Sequence, residues 1–320
     1  MWVDETTRRV LFEANTPHPL CSTLLSVSFA ADSYGQTKSL LAPSDPAGNV
    51  DLNNHSSLIW NSCVACDPEL RVLIRMTSDP ATFPGLQMCQ IDASNELKII
   101  GNLRKSMHFK EHQPYTLDPL DAPLFLEMDM PDWAPELIKE EKLYGQLFIP
   151  SKNHQFRNES GAFPTIHFVY GGPGVRLIKS VFNTSLFMKM QILCHFGFAV
   201  FLCDCPGSDG RGLAWASAIK HKMGQIEAPY HAHLLKQAAA KTQLIDTNRV
   251  GIYGHSYGGY LTLLAACQVS NTQEGKVCQR TSPSILVERE WRGETEGFSS
   301  PPTETRILGL VRHDCFSCHR

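Results

Sequence analysis

Apolar and polar positions divide the chain into stretches of different rhythm. Up to about residue 110 the apolar runs are short or alternating, at 10–13, 24–30, 58–63, 72–76 and 86–91, with Gly, Pro, Asn, Asp and Ser between them. Period-two runs bounded by turn formers predict strands. In the second of these, Leu25, Val27 and Phe29 alternate with Ser26 and Ser28, which predicts a half-buried strand with the apolar set inward. About five strands make a poor sandwich, so residues 1–110 read as a β-rich remnant, about the size of a propeller blade. Residues 111–142 read as a linker, centred on the Pro-, Asp- and Met-rich loop 114–135.

Residues 143–270 carry another pattern. Strands are predicted at 143–150, 165–170, 199–203 and 249–253, and helices at 185–196, 213–223, 231–241 and 260–269, with Gly197 as a helix C-cap. Strands alternating with helices predict a parallel sheet covered on both faces. Residues 271–320 are polar and charged, with apolar runs only at 285–287 and 307–311, and read as a disordered tail.

Composition narrows the class. A net charge of −3 over 320 residues gives no basic excess for nucleic acid. No apolar run reaches the length of a membrane span. The segment 20–30 is interrupted too early to be a signal sequence. Eleven scattered cysteines without such a signal read as reduced thiols. The sequons at Asn54, Asn158 and Asn183 then carry no meaning.

The chemistry centres on Gly254-His255-Ser256-Tyr257-Gly258-Gly259, which fits G-x-S-x-G between a predicted strand and a predicted helix. There the serine of a nucleophile elbow sits on a strained turn, and glycines at Gly254 and Gly258 leave room for it. The N–H of Tyr257 would then donate to an oxyanion at the helix N-terminus. His255 is expected to pack beneath the turn, away from Ser256.

Several runs occur in order around this motif: Tyr170-Gly171-Gly172-Pro173, Asp204-Cys205-Pro206-Gly207-Ser208, Arg211-Gly212-Leu213, Lys222-Met223-Gly224-Gln225-Ile226-Glu227 and Asp246-Thr247-Asn248-Arg249-Val250-Gly251-Ile252. The series resembles the prolyl oligopeptidase clan of serine peptidases, and within it the cytosolic dipeptidyl peptidases 8 and 9. The resemblance implies a partial α/β-hydrolase preceded by the end of a β-propeller. It implies removal of N-terminal dipeptides with Pro or Ala second, a cytoplasmic location, no cofactor and relatives that form homodimers. It also implies Ser256 as nucleophile, Tyr170 and Tyr257 at the oxyanion hole, and the Tyr257 ring lining a proline pocket. Tyr260 has no evident role.

Departures matter as well. The family has Trp at the position of His255 and Asn-Arg after the equivalent of Asp204. After Glu227 this chain continues Ala228-Pro229-Tyr230-His231 where the family is acidic. Its triad Asp and His follow the nucleophile after further strands. Here the candidates are His313, Asp314 and His319, and none stands in a suitable neighbourhood, so no triad Asp or His is identified. Glu140-Glu141 reads as a solvated face and not as the family's clamp on the peptide amino terminus. Without a base a serine hydroxyl is a weak nucleophile. A truncated, catalytically silent member is therefore a rival reading, with an esterase or lipase of the same fold a third. No metal site is expected: Cys315-Phe316-Ser317-Cys318-His319 and Cys63-Val64-Ala65-Cys66 read as chance spacings, Cys203 and Cys205 as packing, and histidines including His231 and His233 show no ligand spacing.

Overall fold

The computed structural model describes residues 2–40, 51–52, 58–67, 69–92, 96–108, 121–139, 141–151, 154–271, 285–288 and 307–310. They form two compact units, Met1–Ala122 with Lys179–Met188, and Pro123–Ile178 with Lys189–Arg320.

The first unit is antiparallel. Strands β1 (Trp2–Asp4), β2 (Arg9–Ala14), β3 (Thr23–Ser28) and β4 (Thr37–Ser39) form a four-stranded meander. Strands β5 (Trp60–Asp67), β6 (Val72–Asp79), β7 (Thr82–Ile91) and β8 (Leu97–Arg104) form a second sheet, in which β9 (Met107–His108) also pairs with β7. Four-stranded meanders are the form of propeller blades. Trp2, Leu11, Leu24, Leu73, Cys89 and Ile91 build one core in this unit. Buried Asp4 is held by Arg71 at 3.1 Å and by the Thr7 hydroxyl at 2.7 Å.

Strand β3 alternates as predicted, but with the opposite face inward. Leu24, Ser26 and Ser28 are buried, Leu25 and Val27 are half-buried, and Phe29 is exposed. The serines tolerate this because their hydroxyls find partners: Arg9 Nε donates to Ser26 Oγ at 3.0 Å, and Ser28 Oγ meets Ser33 Oγ at 2.8 Å.

The second unit is built on a seven-stranded sheet, and it makes the fold α/β. Strand β10 (Leu124–Asp129) pairs antiparallel with β11 (Lys142–Phe148), and β11 antiparallel with β13 (Ala199–Cys203). Strands β13, β12 (Phe163–Val169), β14 (Ile245–Gly254), β15 (Ile285–Glu288) and β16 (Ile307–Leu310) then run parallel in that order. Helices α1 (Thr184–His195), α2 (Gly212–Ser217), α3 (Glu227–Thr242) and α4 (Tyr257–Asn271), with a short 3-10 helix at Glu136–Ile138, complete the described elements. Every residue of β12 and β13 is buried, as continuous apolar runs in a covered parallel sheet should be.

Three segments depart from expectation. Within 114–135, read as loop, Leu124–Asp129 is a strand whose Phe125 and Met128 are buried; residues 109–120 lie outside the described residues. Within 271–320, read as a disordered tail, the two apolar runs extend the sheet as β15 and β16. The helix expected at 213–223 is confined to Gly212–Ser217. Gly197 caps α1 as expected. Its φ is +89°, its N–H reaches Cys194 O at 2.9 Å, and the Phe198 N–H reaches Leu193 O at 3.1 Å, a Schellman arrangement.

The strand order places β12 at a reversal. From β12 the chain crosses to β13 on one side, then returns past β12 to β14 on the other. In open α/β sheets, ligands bind beyond the strand C-termini at such a point.

Candidate active site

The reversal brings the ends of β12 and β14 together, with Val169 and Gly254 as paired positions. Tyr170 and His255 therefore leave the sheet side by side. Ser256 follows with φ +56°, a left-handed conformation that costs an L-residue roughly 1–2 kcal/mol. Two glycines make that turn possible. A Cβ on Gly254 would stand 2.2 Å from the carbonyl oxygen of Gly258, and one on Gly258 would stand 2.2 Å from that of Val169. The strand end, the turn and the first helical turn are thus in backbone contact, and Ser256 is left exposed at the tip.

The helix start completes the elbow. The N–H groups of Gly258, Gly259 and Tyr260 bond back to carbonyls of His255 and Ser256 at 2.9–3.2 Å. The Tyr257 N–H finds no backbone acceptor among the described residues, and so remains a donor beside Ser256. His255 does not pack beneath the turn as expected. It is exposed, because the contact between Gly254 and Gly258 fills the space under the elbow with backbone.

Tyrosines line one side. The rings of Tyr170 and Tyr257 lie 6.2 Å apart, and Tyr260 meets Tyr257 edge-on at 5.4 Å, which places Tyr260 in the same aromatic group. The Tyr257 hydroxyl donates to Oε1 of Glu227, a fully buried carboxylate. Glu227 also accepts the N–H groups of Gly224 at 2.9 Å and Ile226 at 3.1 Å. Burial, and then the neighbouring Glu227 carboxylate, push the Tyr257 phenol well above its ordinary pKa. Glu227 was legible in the sequence only as part of a family run; its tie to Tyr257 joins residues thirty positions apart.

Asp204, at the end of β13, accepts the N–H groups of Leu177 at 2.9 Å and Ile178 at 2.8 Å, fixing the loop that follows Tyr170. Glu141 pairs with Arg211 at 2.6 Å, and Arg211 stacks on Trp215 at 3.8 Å. Glu140 lies outside the described residues, as do His313, Asp314, Cys315, Cys318 and His319.

One group of potential ligands went unread in the sequence. Nε2 of His167, Sγ of Cys203 and Nδ1 of His231, all buried, lie within 4.8 Å of one another. His231 showed no ligand spacing along the chain because its neighbours come from two other elements, β12 and β13.

A parallel sheet with a strained serine between strand and helix has the architecture of an α/β-hydrolase. Residues 184–280 match the model of the prolyl oligopeptidase family. Over 148 residues the chain is 38% identical to dipeptidyl peptidase 8 of Homo sapiens, a match covering 44% of this chain and 16% of the relative. Dipeptidyl peptidase family member 1 of Caenorhabditis elegans is 25% identical over 266 residues, 82% of this chain and 30% of the relative. The crystal structure of Porphyromonas gingivalis dipeptidyl peptidase 4 shares the fold, with a TM-score of 0.64 at 17% identity, over 89% of this chain and 34% of that one. The chain therefore resembles dipeptidyl peptidases of the prolyl oligopeptidase family and spans less than a third of the length of these two sequence relatives.

Proposed function

We propose that the chain carries the nucleophile of a serine-type dipeptidyl peptidase, with Ser256 attacking the scissile carbonyl. The observation that carries this reading is the left-handed Ser256 between two glycines that cannot bear a Cβ. The Tyr257 N–H supplies one oxyanion donor and the Tyr170 hydroxyl the other, each stabilising charge that develops only in the transition state. The substrate is a peptide with Pro or Ala second, and its small side chain packs against the Tyr170–Tyr257–Tyr260 group. As in the family, no cofactor takes part in this chemistry, the location is cytoplasmic, homodimers belong to the full-length relatives, and neither nucleic acid nor membrane is a partner. Among the described residues, no helix is long and apolar enough to cross a membrane.

One observation favours a second reading, an elbow without turnover. Among the described residues no histidine or carboxylate hydrogen-bonds to the Ser256 hydroxyl. A fluorophosphonate probe combined with Gly-Pro and Ala-Pro chromogenic substrates separates the two. Labelling lost in Ser256→Ala together with dipeptide release is the expected result. No release would leave the elbow without turnover, and cleavage of short acyl esters alone would assign an esterase.

A further inference from the structure

We propose that His167, Cys203 and His231 form a buried His2Cys site for a thiophilic transition-metal cation, zinc(II) or copper(I). The three ligand atoms stand at the corners of a small triangle. His167 Nε2 lies 3.4 Å from Cys203 Sγ, Cys203 Sγ lies 3.2 Å from His231 Nδ1, and the two nitrogens are 3.2 Å apart. A cation bound at about 2.0–2.1 Å from nitrogen and about 2.3 Å from sulfur, at tetrahedral angles, requires edges of roughly 3.3–3.6 Å. The observed edges lie within a few tenths of an ångström of these.

The fold fixes the triangle. His167 on β12 is paired with Phe201 on β13, and Cys203 lies two residues further along β13, so His167 and Cys203 share one face of the sheet. Helix α3 presents His231 to both. All three are fully enclosed, and ligands on regular elements are preorganised.

Hydrogen bonding alone serves the trio poorly. Three mutual contacts need three protons placed between them. A neutral thiol and one facing N–H supply two, and a second facing N–H would point at the first. A cation instead uses one lone pair from each atom. Each imidazole offers such a lone pair in its neutral form, which is the form that ligates. Cysteine ligates as the thiolate, and the bound cation supplies the charge that stabilises it. Binding displaces the thiol proton to solvent and involves no change of oxidation state. The soft donor set selects zinc(II) or copper(I) over magnesium or calcium.

The test uses the full chain with Cys63, Cys66, Cys315 and Cys318 changed to Ser, which removes the other C-x-x-C pairs. It is refolded with cobalt(II) as a zinc probe and, separately, with copper(I) under a chelating competitor. One retained equivalent is expected, with release of about one proton. The cobalt form should show a thiolate charge-transfer band that zinc(II) abolishes, and retention of copper(I) alone assigns the copper form. Cys203→Ser should lose the band and weaken binding by more than the roughly tenfold to hundredfold that loss of a mere outer-shell partner costs. X-ray absorption on the parent chain, which needs no ligand variant, should give two nitrogen ligands and one sulfur. Failure of the folded chain to retain either metal overturns the proposal. So does binding unchanged in Cys203→Ser, or a shell without sulfur.

Discussion

Gly254 and Gly258 stand where a single methyl group would overlap a backbone oxygen at 2.2 Å. Overpacking of this kind costs about 1–3 kcal/mol when side chains can shift, and here only backbone is available to move. Gly258→Ala is therefore expected to lower the denaturant midpoint by at least that range and to abolish probe labelling of Ser256. Ser256→Gly should do the opposite to stability. Removing the Cβ at φ +56° relieves about 1 kcal/mol, read as a raised midpoint, while labelling disappears. Tyr257→Phe takes one donor from the buried Glu227 carboxylate and should cost about 1–3 kcal/mol in equilibrium unfolding. The elbow was legible in the sequence because its sterics leave little choice of residue at those positions. Glu227, His167 and Cys203 were not, since their partners come from elements far apart in the chain.

At the scale of elements, legibility followed periodicity. The all-apolar strand β13 was readable, and so was α1, whose entry Asn183 caps by accepting the Leu186 N–H at 3.2 Å and whose exit Gly197 closes. Strand β10 was hidden among flanking prolines. Strand β8 was missed because Ile100 and Gly101 break the alternation of Leu97, Ile99 and Leu103 with polar residues, and most of its residues are exposed. Helix α3 begins four residues before the expected start. Pro229 stands in its first turn, where the missing N–H costs nothing, and Glu227 receives the N–H groups of the preceding loop. The start of β14 depends on a carboxylate. Burial raises the Asp246 pKa, but Arg249 at 2.7 Å and the Asn248 N–H and Asn158 Nδ2, each at 3.0 Å, outweigh it and hold the group below its ordinary value. A depressed folded-state pKa contributes stability above the unfolded value, near 3.9, and loses it as pH falls through the folded value. Acid titration of unfolding should show this loss below about pH 4, and Asp246→Asn should flatten that part of the curve.

For the whole molecule, the β-rich unit gives way to the α/β unit at Ala122/Pro123, about twenty residues before the change of rhythm read near residue 143, because β10 falls in the stretch read as a linker. The return of Lys179–Met188 to the first unit was not legible, because ten residues inside an α/β stretch carry no signal of their own. Each unit has its own core. Trp215, fully buried with its indole N–H on Ser208 Oγ at 2.9 Å, belongs to the second. Trp215→Ala should cost about 3–5 kcal/mol there. Hydrogen exchange should speed up in β11–β14 and remain unchanged in β5–β7, whose core contains Leu73 and Cys89.

The bond from the Tyr257 hydroxyl to Glu227 has a consequence for selection among ligands. A phenol tied at its far end to a buried carboxylate cannot swing, so the aromatic wall beside Ser256 has one shape before anything arrives. A ligand there is sorted by fit to a fixed mould, not by its capacity to reshape the site. Under the proposed function, a rigid residue such as proline would lose least on entry, because neither partner has freedom left to surrender.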